Sequence, residues 1–254
     1  MSSERPAAAM LSLEKVCLQR GARTVLQELS GDFPTGSLTA VIGPNGAGKS
    51  TLLAALAGDL APTSGRIARA PGLRMAYLPQ VSTLDRHFPL QVHEVVALGL
   101  WPQLGPWRGV ARAQRDQVHA ALHEVGLGKL AHHPLQTLST GQFQRMLFAR
   151  LILQDAQLLL LDEPFAAMDE PSTRDLLDLL KRWQAQGRTV VTVLHDLAQV
   201  REHFSHALLL AGHAVAWGPV AEVLQPAPLQ RAGYLLPPPH TSSTRTGTAH
   251  EGCA

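Results

Sequence analysis

The sequence predicts an α/β fold with a mainly parallel sheet, an N-terminal pair of antiparallel strands and an inserted helical subdomain. Short, continuous apolar runs alternate with helical patterns through most of the 254 residues, as is typical of parallel strands buried on both faces. One such run leads through a glycine-rich loop into a helix. Between residues 81 and 135 amphipathic helical patterns stand alone, with helices predicted over residues 92–100 and 114–125.

Two runs that alternate apolar and polar residues open the chain, at residues 11–18 and 24–29, with Gly21 in the turn between them. Alternation indicates strands with one buried face, and two such strands joined by a short turn pair antiparallel. We therefore expect these strands at an edge of the fold.

The core elements follow in strand–helix order. Residues 37–42 form a β-rich run that ends in glycine, and residues 52–57 have helical composition and stop at Gly58. The later elements are predicted as a strand within residues 71–80, a helix over 141–154, a strand over 158–161, a helix over 172–184, a strand over 189–194 and a hairpin over 207–217.

Three divisions of the chain follow from these patterns. Residues 10–80 and 136–225 are expected to form one nucleotide-binding α/β core, and residues 81–135 the helical subdomain inserted in it. The last part, residues 226–254, is rich in Pro, Ser and Thr, so we expect a mobile tail.

Composition argues against several classes of protein. The formal net charge of +2 indicates no broad basic surface, so no nucleic-acid partner is expected. No apolar run reaches the roughly 18 residues of a membrane-spanning helix, and the N-terminus is unlike a signal peptide. Cys17 and Cys253 form no metal or redox spacing, which favours a reduced, intracellular chain. Any membrane role is therefore expected to depend on a partner.

The first chemical motif is the glycine-rich loop between a predicted strand and a predicted helix. It fits G-x-x-x-x-G-K-[ST] and consists of Gly43, Pro44, Asn45, Gly46, Ala47, Gly48, Lys49, Ser50 and Thr51. Backbone N–H groups of such a loop hold phosphate oxygens, with the helix N-terminus behind them. Lys49 is expected to neutralise the β- and γ-phosphates, and Ser50 to give its hydroxyl to Mg²⁺. An ordinary glycine turn would not combine all these features.

The second motif is an apolar strand that ends in two acids, Asp162 and Glu163. Ligands bind at the carboxyl ends of strands in open α/β sheets. Asp162 is expected to hold Mg²⁺, and Glu163 to polarise an attacking water. A strand that merely reaches solvent could also end in acids, but the phosphate loop favours the functional interpretation.

The third motif, LSTGQ at residues 138–142, has two interpretations. Ser139, with Gln142 three residues later, forms a capping box for the next helix, and taken alone this interpretation is the better one. The alternative is that Ser139, Gly141 and Gln142 bind nucleotide.

Together these motifs resemble those of the ABC-type ATPases. The phosphate loop, a glutamine after a strand (Gln80), LSTGQ, LLLLDE and a late histidine (His195) occur in that family's order and spacing, over roughly residues 10–225. The resemblance implies a phosphate-loop NTPase core that hydrolyses ATP with Mg²⁺. It also implies that two cassettes pair head to tail, so that Ser139 and Gly141 of one contact the γ-phosphate bound by the other.

The resemblance assigns roles to three further residues. Gln80 would contact Mg²⁺ and the attacking water and signal to a membrane partner. His195 would contact the γ-phosphate from the end of its strand, whereas without the resemblance a structural histidine would be the simpler interpretation. Asp169 would contact the second cassette.

Two departures from the family pattern are visible. Thr140 replaces the first glycine of LSGGQ, and because the neighbouring serine, glycine and glutamine remain, activity is expected to survive. Arg20 stands where an aromatic residue usually stacks on adenine. Its guanidinium plane can stack on a base by a cation–π contact, with a surface arginine as the equal alternative.

Similarity to particular subfamilies indicates which type of ABC protein this is. A single cassette resembles the separate ATPase subunits of bacterial importers, and residues 142–150 and 163–166 are most similar to the zinc and manganese uptake subfamily, close to the iron-chelate importers. This implies a peripheral subunit on the cytoplasmic face of the inner (plasma) membrane, bound to integral membrane permease subunits. A periplasmic or extracellular metal-binding protein would act indirectly, and zinc is the preferred cargo.

Twelve histidines invite a direct zinc-binding interpretation. His119 and His123 could share a helix face, and His132 and His133 are adjacent, but no acidic or cysteine partner completes a ligand set nearby. A solvated surface is therefore favoured.

Two other classes of protein remain open. A non-transport ABC ATPase normally has a long coiled coil or a second cassette, whereas the gap here spans only about ninety residues without sustained heptads. A phosphate-loop kinase would not need LSTGQ. Dimerisation driven by ATP is expected of an ABC ATPase and not of such a kinase, so it distinguishes the two.

Overall fold

The structure is a computed structural model, which describes residues 9–80, 86, 88–104, 111–166 and 168–234. Its strands are β1 (Ala9–Arg20), β2 (Arg23–Pro34), β3 (Leu38–Ile42), β4 (Ser64–Arg69), β5 (Met75–Leu78), β6 (Leu158–Asp162), β7 (Thr189–Val193), β8 (His206–Leu210) and β9 (Ala214–Pro219). Its α-helices are α1 (Lys49–Ala57), α2 (Val92–Ala97), α3 (Trp101–Leu104), α4 (Arg112–Glu124), α5 (Thr140–Gln154), α6 (Glu170–Ala185), α7 (Leu197–His203), α8 (Val220–Val223) and α9 (Pro226–Arg231).

The central sheet has the strand order β5-β6-β7-β3-β8-β9 and is parallel except for the final β8–β9 pair. Every residue of β3, β6 and β7 is buried, so these strands are covered on both faces. In β6, Leu159 and Leu161 pack into one hydrophobic cluster, while Leu158 and Leu160 pack into the other. The predicted mainly parallel α/β sheet is confirmed.

A second sheet, of order β2-β1-β4, is antiparallel and packs with α1 on one face of the central sheet. The predicted antiparallel pair is therefore correct, with Gly21 in the turn at φ 62°. β4 was not among the predicted strands, and its residues are exposed or half-buried. Because this strand buries no regular apolar face, alternation could not reveal it.

The helices between β5 and α5 pack against α5 in the same hydrophobic cluster, through residues such as Val92, Val96 and Leu122. A capping box between Gln91 and Glu94 starts α2, where the backbone N–H of Gln91 donates to the Glu94 carboxylate at 2.7 Å. The Pro/Gly/Trp-rich stretch of residues 101–109 begins with α3, and residues 105–109 lie outside the described part of the chain.

The C-terminal part of the described chain is packed rather than extended. After the β8–β9 hairpin, α9 buries Leu229, and the N–H of Tyr234 donates to the Leu229 carbonyl at 3.0 Å. The prediction of a mobile tail from residue 226 is therefore wrong for residues 226–234, because apolar residues of α9 pack into the hydrophobic core. Residues 235–254 lie outside the described part of the chain. Within the described ranges, no helix is both long and apolar enough to cross a bilayer.

Candidate functional site

The glycine-rich loop joins β3 to α1, and two of its glycines have no room for a side chain. A Cβ on Gly43 (φ 153°) would lie 2.3 Å from the carbonyl oxygen of Leu210 in the adjacent strand. A Cβ on Gly48 (φ 97°) would lie 2.9 Å from the side chain of Leu26. The backbone therefore needs glycine at both positions, and the loop leads directly into the N-terminus of α1 at Lys49.

Lys49 is folded back over this loop. It is only 6% exposed, and its Nζ donates to the carbonyl oxygens of Gly43 at 2.9 Å and Pro44 at 3.0 Å. Burial lowers the pKa of Lys49, while the nearby carboxylates of Glu163 and Asp162 oppose that shift. A buried ammonium held at the loop is suited to phosphate oxygens, as the motif predicts.

The carboxylate of Asp162 lies at the end of β6, 2% exposed and hydrogen-bonded by the hydroxyl of Ser50. Its Oδ1 is buried and has no hydrogen-bond partner among the described residues. Burial raises the pKa of Asp162, with the Ser50 hydrogen bond opposing the shift. A spare carboxylate oxygen beside a hydroxyl provides the oxygen ligands that Mg²⁺ prefers. These two residues therefore fit the metal assigned to them.

Glu163 connects two other site residues. Its Oε2 accepts a hydrogen bond from Gln80 Nε2 at 3.0 Å, and its Oε1 accepts one from His195 Nε2 at 2.6 Å. Gln80, Glu163 and His195 follow the adjacent parallel strands β5, β6 and β7, so their convergence is a consequence of strand order. The structure thus brings together the three residues to which catalytic roles were assigned.

The backbone of Glu163 is left-handed, with φ 50°. A residue other than glycine in this region costs on the order of 1–3 kcal/mol, and such strain is concentrated at functional sites. The strained turn directs the carboxylate to the edge where Gln80 and His195 lie.

A cleft of about 810 Å³ extends from the phosphate loop toward the β1–β2 hairpin. It is lined by Arg20, Arg23, Thr24, Val25, loop residues 44–51, Glu163, Ala211 and Gly212. Arg20 thus lies in the same cleft as the loop, as its assignment to the base requires. Arg23 was missed in the sequence, although it stands directly across the hairpin from Arg20. None of these lining residues is aromatic.

LSTGQ does not reach the loop of its own chain. Ser139 is the N-cap of α5: its Oγ accepts from the N–H of Gln142 at 3.2 Å, and its own N–H donates to Gln142 Oε1 at 2.9 Å. The capping box is therefore present, and none of its residues lines the cleft. Thr140, the departure from the family pattern, lies 3.5 Å from a guanidinium nitrogen of Arg86.

Gly141 has no local steric reason to be glycine. Among the residues that the structure describes, a Cβ built on it would meet nothing within 4 Å, and its helical φ is ordinary. Open space above a helix N-terminus leaves room for a group from outside the chain to approach the backbone closely.

The histidines of the helical subdomain lie close to one another without forming a ligand set. His119 is exposed on α4, and the rings of His93 and His132 are 4.8 Å apart. Among the described residues, no group of three or more histidines, cysteines or acids is arranged to hold a metal ion.

The chain is similar to known proteins over most of its length. The sequence profile described as ABC transporter matches residues 26–166. The chain is 37% identical over 227 residues to a protein of Chlamydia trachomatis named as a probable metal transport system ATP-binding protein, with 87% of each chain covered. It is 36% identical to the zinc transport system ATP-binding protein of Treponema pallidum, covering 89% of this chain and 87% of the relative.

Manganese transporters are similar to a comparable degree. The manganese transport system ATP-binding protein of Bacillus subtilis is 34% identical, covering 87% of this chain and 91% of the relative. Among solved structures, a metal-chelate type ABC transporter in an inward-facing conformation superposes with a TM-score of 0.79 at 30% identity, covering 87% of this chain and 88% of that chain.

Proposed function

The chain belongs to the ABC transporter family and its activity is ATP hydrolysis. We propose that this hydrolysis powers the import of a divalent metal ion, with zinc as the preferred cargo. ATP hydrolysis at this site is supported above all by the hydrogen bonds of Gln80 and His195 to Glu163. Glu163 lines the same cleft as the phosphate loop. Relatives named for metal transport support the cargo class.

Substrate binding is assigned to the loop and its lysine. Backbone N–H groups within residues 45–51 hold the phosphates of ATP, and Lys49 exchanges its two loop carbonyls for phosphate oxygens. Ser50 and Asp162 would hold Mg²⁺, with Gln80 near them, and the bound ion would neutralise charge on the β- and γ-phosphates.

Glu163 is the residue assigned to the attacking water. Its carboxylate accepts a hydrogen bond from the water and takes up its proton as the water oxygen bonds to the γ-phosphorus. The bond from that phosphorus to the β–γ bridging oxygen breaks, and ADP and inorganic phosphate are the products. Gln80 and His195 hold the two carboxylate oxygens, so the orientation of Glu163 is fixed before substrate arrives. Such preorganisation is the main contribution that a protein makes to phosphoryl transfer.

The active unit is proposed to be a homodimer of two cassettes. Ser139, Gly141 and Gln142 do not line the cleft of their own chain, and Gly141 has open space above its backbone. Pairing head to tail would bring this N-terminus of α5 to the γ-phosphate of the second subunit, where its N–H groups suit an anion. Asp169, the N-cap of α6, is assigned to the dimer contact.

The membrane partner is assigned to the surface near Gln80 and the helical subdomain of residues 81–135. Two large hydrophobic side chains in this region are exposed, Phe88 at 58% and Trp101 at 55%. They are the most exposed large hydrophobic residues of the described chain. Exposed aromatic side chains are typical of protein interfaces. The subunit would thus bind permease subunits at the cytoplasmic face of the membrane, with a metal-binding protein delivering cargo from outside.

Glu163→Gln tests the mechanism, because a glutamine of the same size should bind ATP–Mg²⁺ and hydrolyse it slowly. We expect light scattering to detect a stable dimer of this variant in ATP–Mg²⁺. Glu170→Gln, an exposed acid at the start of α6, is the matched control and should leave hydrolysis unchanged. A Glu163→Gln protein that stayed monomeric at saturating ATP–Mg²⁺, while the wild type phosphorylated a small acceptor, would assign a kinase instead.

The cargo is tested by deleting the gene. Loss of growth under metal limitation that is rescued by zinc would support the proposal, and rescue by manganese would assign the second candidate, which the Bacillus subtilis relative favours. Rescue by iron chelates alone would contradict both.

A further inference from the structure

The turn between β8 and β9 is hydrogen-bonded to the glycine-rich loop. The backbone N–H of Gly212 in this turn donates to the carbonyl oxygen of Ala47 at 3.3 Å. The carbonyl oxygen of Gly212 accepts from the N–H of Gln27 in β2 at 3.0 Å. Gly212 therefore connects a strand to the loop, although it belongs to none of the sequence motifs described above.

The hydrogen bond to Ala47 fixes the direction of the peptide group between Ala47 and Gly48. The C=O and N–H of a trans peptide point in opposite directions, so a carbonyl aimed at the β8–β9 turn directs the N–H of Gly48 away from that turn. Among the hydrogen bonds between described residues, none has this N–H as its donor. It is therefore available to an anion where the loop enters α1.

The glycines of the loop make an outside support necessary. Gly46 and Gly48, at φ 78° and 97°, stand on either side of Ala47. Because glycine adopts positive and negative φ almost equally well, the loop itself offers little resistance to rotation of the peptide group. Half a turn would replace the N–H with a carbonyl oxygen, which repels phosphate. Lys49 bonds to the carbonyls of Gly43 and Pro44, and so does not hold this peptide group.

We propose that Gly212 is a positioning residue for phosphate binding, an inference that rests on the proposed role of the loop. Its N–H holds the peptide group after Ala47 so that the N–H of Gly48 faces the phosphates. The turn needs glycine for this, because φ at Gly212 is 75°. A Cβ there would meet only the carbonyl oxygen of Val25 among described residues, at 3.9 Å, so a substitution acts through φ and not through a clash.

The test measures equilibrium binding of ADP and of pyrophosphate to the full chain with Mg²⁺. Gly212→Val should weaken both by the same factor of about 10, the loss of one hydrogen bond to a charged group. Gly212→Asn should bind within about threefold of the wild type, because asparagine accepts a left-handed φ and a β-branched residue does not. If the valine variant does not fold, Gly212→Ala takes its place, with a weakening of at least about threefold expected.

Gly187→Val is the matched control. Gly187 also has a positive φ, 83°, and a Cβ there would meet no described residue within 4 Å. It follows α6 and does not line the nucleotide cleft. This variant should lose melting temperature as Gly212→Val does, yet bind ADP and pyrophosphate as the wild type does.

Three results would overturn the proposal. Unchanged affinity in the valine or alanine variant of Gly212, or equal weakening in Gly187→Val, would show that Gly212 contributes only to stability. Weakening of ADP without pyrophosphate would show that Gly212 acts on another part of the nucleotide. An asparagine variant as weak as the valine variant would show that the backbone conformation is not what matters. A wild-type chain that bound neither ligand would instead contradict the proposed role of the loop.

Discussion

Nε2 of His195 lies 2.6 Å from Oε1 of Glu163, which joins the end of β7 to the end of β6. The other carboxylate oxygen accepts from Gln80, so the carboxylate is held from two sides. We therefore expect His195 to act on the reaction by positioning the carboxylate of Glu163.

His195→Ala should therefore lower the rate of ATP hydrolysis by about 10²-fold with little change in KM, because a displaced carboxylate no longer aligns the water. His195→Gln, which can still donate from a side-chain N–H, should restore part of the loss. Steady-state phosphate release measures both. His119→Ala, on the exposed face of α4, serves as the control. A rise in KM alone would show that His195 acts only in binding.

Asp162→Asn should stabilise the metal-free protein while removing Mg²⁺-dependent nucleotide binding. Burial raises the pKa of Asp162, so the ionised carboxylate destabilises the fold at every pH above its folded-state pKa, and a neutral amide removes that cost. We expect the melting temperature without Mg²⁺ to rise at neutral pH, where the wild-type carboxylate is ionised. An unchanged or lower melting temperature, measured by calorimetry, would contradict this account.

The raised pKa of Asp162 also predicts a pH dependence of metal binding. Protons compete with Mg²⁺ for this carboxylate at a higher pH than for an ordinary aspartate, so Mg²⁺ affinity should fall as the pH is lowered toward the raised pKa. Titration of Mg²⁺ at constant ADP across that range measures it. An affinity independent of pH would mean that Asp162 is not a ligand.

Gly141→Ala should leave the isolated subunit folded and able to bind nucleotide, because a Cβ there meets no described residue within 4 Å. Alanine is a better helix former, so the free energy of unfolding should be unchanged or higher by up to about 1 kcal/mol. In the Glu163→Gln background the same change should abolish the ATP-dependent dimer, which light scattering detects. A dimer that survived would leave Gly141 as an ordinary helical residue.

Trp101→Asp should preserve hydrolysis by the isolated subunit and abolish transport in cells. The side chain is 55% exposed, at the start of α3, and does not line the nucleotide cleft. A charge in the centre of an apolar contact with a permease would be buried without a partner. Co-purification with the permease measures the loss, and Arg112→Asp at the exposed start of α4 is the control.

The sequence predicted the sheet and the phosphate end of the site because both depend on local signals. Continuous apolar runs such as that of β6 indicate buried strands, and strand order then brings Gln80, Glu163 and His195 to one edge. The pairing of β4 with β1 was not predictable, because it is carried by backbone hydrogen bonds in a strand of mostly exposed or half-buried side chains. Arg23 was not predicted to line the cleft, because its place there follows from the register of the β1–β2 hairpin and not from a sequence motif.

For LSTGQ, the local structure could be predicted from the sequence, but nucleotide binding could not. The capping geometry of Ser139 and Gln142 could be predicted from their spacing, and the structure contains it. Whether the same residues also bind nucleotide depends on a second subunit, which the local pattern of one chain does not encode.

The left-handed backbone at Glu163 has an evolutionary consequence. Glycine or asparagine would fit φ 50° with less strain, and either would remove the carboxylate. Under the proposed mechanism, selection for catalysis would keep glutamate at this turn against the preference of its own backbone. In a lineage that no longer depended on hydrolysis, position 163 should be among the first to change.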